Sequence, residues 1–282
     1  MEYLLLAVVI VLVTFQSVAR KEYNKKTEKS NAYTFSAVNT LFALLFFVFS
    51  SGFKLRFTGE VLVYSVFFGM AFAMAQAGSF FAIKWGALSI TLLVTSYSLL
   101  IPALYGVLFL KERLSTLGIV GLVLLAISLF MIYDRKEKAM FSLKWLISVV
   151  IAFVGNGLCS TIQKMQQLAF DGGFKHEFMI MALAICLVFN IIMAMANRET
   201  PRVGWKPCTG YAMLSGTANG IVNLLVMVLT AKIANSILFP SISAGGIALG
   251  FFMAIFLYRE RLTRLQLAGY LIGTASVVLL NL

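Results

Sequence analysis

Polar side chains recur at helical spacing inside apolar runs of this sequence. Ser215, Asn219, Asn223 and Thr230 follow one another at steps of four, four and seven residues, which places them on one helix face. Asn156, Ser160, Gln163 and Gln167 form a second such stripe. Shorter ones are Thr91, Thr95 and Ser98, and Phe72, Gln76 and Ser79; Gln16 and Ser243 stand singly. Polar groups are costly in hydrocarbon and turn toward a bundle interior or a water-filled cavity. Two roles are open to them. Ser and Thr hydroxyls bond their own helix carbonyls or tie helices together, at under about 1 kcal/mol each. The amides of Asn156, Asn219 and Asn223 offer both donors and acceptors and suit a polar solute. The expected binding set is Gln16, Gln76, Ser79, Thr95, Asn156, Ser160, Gln163, Asn219, Asn223 and Ser243.

Lys84 and Lys232 end two apolar runs 148 residues apart. Each either snorkels to the membrane interface or attracts an anionic group to a cavity wall. Glu112 and Glu260 stand beside arginines at span ends, where pairing and turn-capping are expected. No acidic residue falls near the middle of a span, which excludes exchange of a proton for an organic cation on a membrane-embedded carboxylate. His176 sits in a polar turn. Cys159, Cys186 and Cys208 have unrelated spacings and are expected to pack rather than bind metal. No cofactor site is expected, and no nucleophile elbow or phosphate-cradling loop suggests an enzyme.

The elements that position these residues follow from composition. Of 282 residues, 61% are hydrophobic and only 12% charged, about half the charge of a soluble domain. A bilayer span takes roughly 20 apolar residues, and lipid leaves only helices or closed barrels as ways to pair the backbone. The apolar runs are unbroken rather than alternating, which excludes a barrel. Ten spans are predicted, at 2–20, 31–51, 60–83, 87–110, 115–133, 144–168, 177–197, 208–231, 235–258 and 264–281. The net charge of +12 lies in short clusters between spans, not in a nucleic-acid-binding patch. Most Lys and Arg fall on the side opposite both termini, which puts the termini outside by the charge rule.

The chain also repeats itself. A slide of 148 residues lays Lys84–Tyr133 on Lys232–Asn281 without a gap: Glu112-Arg113-Leu114 meets Glu260-Arg261-Leu262, Gly121 meets Gly269, and Ser128 meets Ser276. A slide of 141 lays Val8-Val9-Ile10 on Val149-Val150-Ile151. Two halves are expected, 1–138 and 139–282, forming one unit. Five helices per copy forces the second copy to insert upside down, the inverted-repeat plan of secondary transporters with solute near the midplane. The expected fold is an all-α integral membrane protein of ten transmembrane helices in two inverted five-helix repeats.

Each half closes with a charged turn, Lys111-Glu112-Arg113-Leu114-Ser115 or Arg259-Glu260-Arg261-Leu262-Thr263, followed by a glycine-bearing last helix. In this the chain resembles the EamA family of the drug/metabolite transporter superfamily. The resemblance implies a multi-pass protein of the cell membrane working by alternating access, and places both termini inside. Together these expectations point to a uniporter or exchanger of a small polar metabolite, amino-acid-like first, with a sugar phosphate or nucleotide sugar as the alternative. A lipid flippase or membrane scaffold is the rival of another class. Gly246 and Gly250 with Pro240 are expected to bend the ninth span. Gly269 and Gly273 allow close packing, within the chain or across a homodimer of last helices.

Overall fold

The computed structural model describes residues 2–26, 31–53, 55–56, 58–109, 115–132, 142–199, 207–230, 235–260 and 262–279. They form α1 Glu2–Lys26, α2 Ala32–Ser50, α3 Gly59–Trp85, α4 Leu88–Ser96, α5 Leu100–Phe109, α6 Thr116–Ile132, α7 Leu143–Ala169, α8 Lys175–Ala196, α9 Pro207–Thr230, α10 Asn235–Tyr258 and α11 Arg264–Leu279. No strand occurs among them. Seven stretches are long and apolar enough to cross a membrane: α1, α2, α3, the α4–α5 run, α7, α8 and the Ser241–Tyr258 part of α10. α6 and α11 supply shorter apolar helices. The protein is a helical, multi-pass membrane protein.

Local chemistry sets several helix ends. The Ser142 side chain accepts from the Trp145 N–H at 3.2 Å and opens α7. At α11, the Thr263 N–H donates to Gln266 Oε1 at 3.0 Å while the Gln266 N–H donates to Thr263 Oγ1 at 3.2 Å, a reciprocal capping box. Ser115 Oγ accepts from the Gly118 N–H at 3.0 Å and caps α6. Ser115 and Thr263 stand 148 residues apart, so the residues that carry the repeat perform one job twice.

α1 runs six residues past its predicted end. Lys21 reaches Glu260 at 2.6 Å, and the ammonium groups of Lys25 and Lys26 sit 4.1 and 4.8 Å from the Tyr258 and Tyr211 ring centres. Interactions with distant residues, not hydropathy, carry that last turn and a half. Nothing breaks α10 through Gly246 and Gly250. The break falls between α4 and α5 instead, at the 3₁₀ turn Tyr97–Leu99. Pro102 has no N–H for the Ser98 carbonyl and crowds the preceding turn.

The largest interfaces pair α3 with α7, α6 with α11, α1 with α9, α2 with α8 and with α9, and α3 with α8. All six join a helix before residue 138 to one after it, so the two stretches interlock rather than fold side by side. The contacts also come in exchanged pairs. If the helices of the first half are matched in order with those of the second, α3–α7 maps onto α9–α1, α3–α8 onto α9–α2, and α1–α10 onto α7–α4/α5.

Candidate functional site

The polar stripe of α9 meets α1. Asn219 Nδ2 donates to Gln16 Oε1 at 3.1 Å. Asn223 Nδ2 donates to the Asn219 carbonyl at 2.9 Å and to Asn219 Oδ1 at 3.2 Å. All three residues are half-buried. The helix positions them: residues four apart stack on one face, and Leu6, Val9, Val222 and Leu229 hold α1 against α9 on either side. The string keeps free hydrogen-bonding capacity, because the Gln16 amide nitrogen donates no bond among the described residues.

A second polar group lies deeper, where α2, α3, α8 and α9 meet. Asn39 Nδ2 donates to Ser215 Oγ at 2.8 Å, Gln76 Nε2 to Asn39 Oδ1 at 3.3 Å, and Thr40 Oγ1 to Gln76 Oε1 at 3.2 Å. Thr40 also contacts Cys186 Sγ at 3.7 Å, and Asn190 Nδ2 donates to that sulfur at 3.2 Å. Every member is 5% exposed or less. This network ties four helices and leaves little for a solute. Gln76 therefore sits among structural hydrogen bonds. Asn39, Thr40 and Asn190 were not singled out from the sequence, although Asn39 and Thr40 follow Ser36 at steps of three and four and share its helix face; Asn190 stands singly in its span.

The remaining expected residues divide. Thr95 Oγ1 donates to the Thr91 and Leu92 carbonyls at 2.8 and 3.1 Å, and Ser160 Oγ donates to the Asn156 carbonyl at 3.2 Å; both hydroxyls are used within their own helices. Ser79, Asn156, Gln163 and Ser243 are half-buried, and none has a side-chain hydrogen bond among the described residues. Lys84 is half-buried at the end of α3. Lys232, Glu112, and the side chains of Cys208 and Pro240 lie outside the described residues. No cluster of three metal-ligating side chains occurs among the described residues. His176 packs edge-on to Phe47.

Glu260 does cap a helix, but not its own turn. Its carboxylate accepts from the Leu88 N–H at 2.7 Å, the Ser89 N–H at 3.2 Å, Ser89 Oγ at 2.8 Å and Lys21 Nζ at 2.6 Å. It thus closes the start of α4, where backbone donors lack helical partners. Burial alone pushes its pKa up, but the Lys21 ammonium and the donated hydrogen bonds outweigh this and hold the carboxyl below the usual range. Glu199 serves α2 likewise, accepting from the Tyr33 and Thr34 N–H groups at 3.2 and 2.7 Å and from Thr34 Oγ1 at 2.8 Å. Two carboxylates from the second half thereby fasten helices of the first.

Gly273 is filled from within the chain: a Cβ there would meet the Tyr97 hydroxyl and Ser128 Oγ. A groove of about 450 Å³ runs along α3 and α7, lined by Met74, Phe81, Trp85, Ile147, Ile151 and Lys144 among others. Its walls are almost wholly apolar, and Met74, Ile147 and Ile151 are exposed on the outside of the bundle. None of the expected binding residues lines it.

Interlocked apolar helices with a half-buried amide seam define the class: a multi-pass, all-helical membrane protein. The chain belongs to the family described as "Sugar transport protein", which it matches over residues 5–281. This is a family of the drug/metabolite transporter type; the match does not extend to EamA itself. An uncharacterized protein of Haemophilus influenzae is 24% identical over 190 residues, covering 64% of this chain and 62% of that protein's length. A solved crystal structure shares the fold with a TM-score of 0.65 at 11% identity, over 99% of this chain and 95% of that one.

Proposed function

We propose that the chain is a secondary transporter of the cell membrane. Ten helical segments cross the bilayer, with the α4–α5 run counted as one, and alternating access carries a small polyhydroxy solute past the α1–α9 seam. The observation that carries this reading is the Gln16–Asn219–Asn223 string, half-buried and facing a partner helix rather than lipid. Amides that both donate and accept match sugar hydroxyls, which do the same. The family description moves a sugar ahead of the amino-acid-like solute expected from the sequence. The exchanged pairs of interfaces support two repeats related by a two-fold exchange, the plan that places solute between halves in such carriers. α6, α9 and α11 complete the crossings: α9 has 24 residues, and its polar stripe lowers its hydropathy.

Counterflow in proteoliposomes tests this. Vesicles preloaded with unlabelled glucose, glucose 6-phosphate or a neutral amino acid are to be given the labelled form outside. Transient accumulation of a sugar above equilibrium, cut about five- to tenfold by Asn219→Leu, supports the reading. Absence of exchange for every solute, with faster scrambling of labelled lipid, would turn it toward a flippase.

A further inference from the structure

Arg20 is the last residue of the first predicted span, and α1 turns it toward neighbouring helices. Exposed Leu4, Val8, Val11 and Phe15 mark the lipid side of α1. At about 100° per residue, Arg20 lies half a turn round from Val11, and Asn24 half a turn round from Phe15. The residues flanking this inner arc confirm its direction. On one side Gln16 bonds Asn219 of α9. On the other, Lys21 bonds Glu260, and Val13 faces Gly246 of α10. Asn24 Nδ2 donates to the Phe80 carbonyl of α3 at 3.3 Å, one turn before Lys84. Arg20 and Asn24 thus project between α3, α9 and α10.

Both carry an orphaned atom there. Arg20 Nε and Asn24 Oδ1 are sealed from solvent, and neither has a hydrogen-bond partner. One is a donor and the other an acceptor, a helical turn apart, and they do not bond each other. Arg20 makes no ion pair among the described residues. The nearby carboxylate of Glu260 is already taken by Lys21 and the start of α4. Arg20 as a whole is half-buried, so its buried Nε is unpartnered while the rest of the guanidinium stays reachable, an arrangement that an arriving anion would complete. Guanidinium Nε and Nη together make the fork that grips a carboxylate or phosphate.

We infer that Arg20 is the anchor for an anionic oxyacid group on the transported solute, with Asn24 Oδ1 accepting from a neighbouring hydroxyl of the same molecule. This rests on the transporter reading and narrows its substrate to a sugar bearing a carboxylate or a phosphate. The position of Arg20 one turn beyond Gln16 on α1 makes the two binding elements one continuous wall.

The test uses the full chain with three solutes that share a hexose ring: glucose, glucuronate and glucose 6-phosphate. Counterflow and thermal stabilisation are measured for the wild type, Arg20→Gln and Arg20→Lys. Expected is exchange of an anionic solute in preference to glucose, falling at least about tenfold in Arg20→Gln and partly recovered in Arg20→Lys. Which anionic solute exchanges separates carboxylate from phosphate. The unliganded Arg20→Gln protein should melt no lower than wild type, because it loses an unpaired cation; a lower melting temperature would show a structural role and overturn the inference. Glucose exchange equal to that of both anionic solutes and indifferent to Arg20→Gln also overturns it, while leaving transport intact. If neither glucuronate nor glucose 6-phosphate stabilises or exchanges, the inference falls; if glucose fails as well, the transporter reading falls with it.

Discussion

The α1–α9 and α3–α7 interfaces correspond when the helices of the two halves are matched in order, and they differ in material. The slides that align the halves put Ala71 and Ala75 at the positions of Asn219 and Asn223, and Gly157 at that of Gln16. At α3–α7 small residues let backbones touch: a Cβ on Gly155 would lie 2.5 Å from the Ala75 nitrogen, and one on Gly78 would lie 2.5 Å from the Ala152 nitrogen. At α1–α9 one amide pair, Asn219 to Gln16, bridges the helices amid Leu6, Val9, Val222 and Leu229. In lipid, helices gain from close packing of small residues or from hydrogen bonds between polar ones. One seam is thus closed by backbone contact and the other is bridged by an amide pair. The difference gathers interhelical amides at one seam and leaves the other closed by small residues.

The sharpest break in that comparison is to spoil the closed seam. Gly155→Leu pushes a branched side chain into the backbone of α3, where nothing flexible can yield. The cost should exceed the roughly 1–3 kcal/mol of ordinary overpacking. Size-exclusion of the detergent-solubilised protein should show aggregation or a clear fall in melting temperature. Asn219→Leu at the polar seam should do the reverse. Interhelical hydrogen bonds in membranes average under about 1 kcal/mol, so melting should hardly move. Uptake should fall about five- to tenfold with the loss of a solute hydrogen bond. Equal effects of the two substitutions on folding would erase the distinction between the seams.

Glu260 belongs to neither seam, and it tests whether the frame is fastened independently of them. Glu260→Gln removes the charge opposite Lys21 and weakens the cap on α4, a loss of about 1–2 kcal/mol. The pH dependence has a definite sign. The folded carboxyl titrates below the usual range, so the unfolded state binds the proton more readily. Its contribution is complete above the unfolded value of about 4.3 and disappears as pH falls through the lower folded value. A melting series from pH 7 to pH 3 should show the difference between wild type and Glu260→Gln shrinking only at the acid end.

Much of this frame is legible in the sequence, because lipid imposes simple rules. Unbroken apolar runs and Ser115 or Thr263 before a last helix mark where helices lie. The exchange partners of those runs follow from the repeat. The site is less legible. A four-residue period says that Asn219 and Asn223 share a face, but not that α1 rather than α2 lies opposite. It could not separate Asn219 from Gln76, which carries the same amide into a closed network. Arg20 was hidden for a different reason. Its neighbours Lys21, Lys25 and Lys26 look like a loop, whereas in the fold that stretch is helix and meets Glu260, Tyr258, Tyr211 and Phe80.

The smallest expected effect separates stripe from site. Thr95 has the period, the half-buried position and the residue type of a binding group, and its repeat partner is Ser243. Its hydroxyl nevertheless already donates to carbonyls of its own helix. Thr95→Val keeps the branched shape and removes only that bond, which within a helix competes with the backbone and contributes little. Stability should stay within about 0.5 kcal/mol of wild type, the usual range for a substitution outside a critical contact, and uptake within about twofold. Uptake that dropped as far as in Asn219→Leu would mean that Thr95 turns its hydroxyl toward solute in another state of the transport cycle. The polar wall would then extend from α1 and α9 to α4.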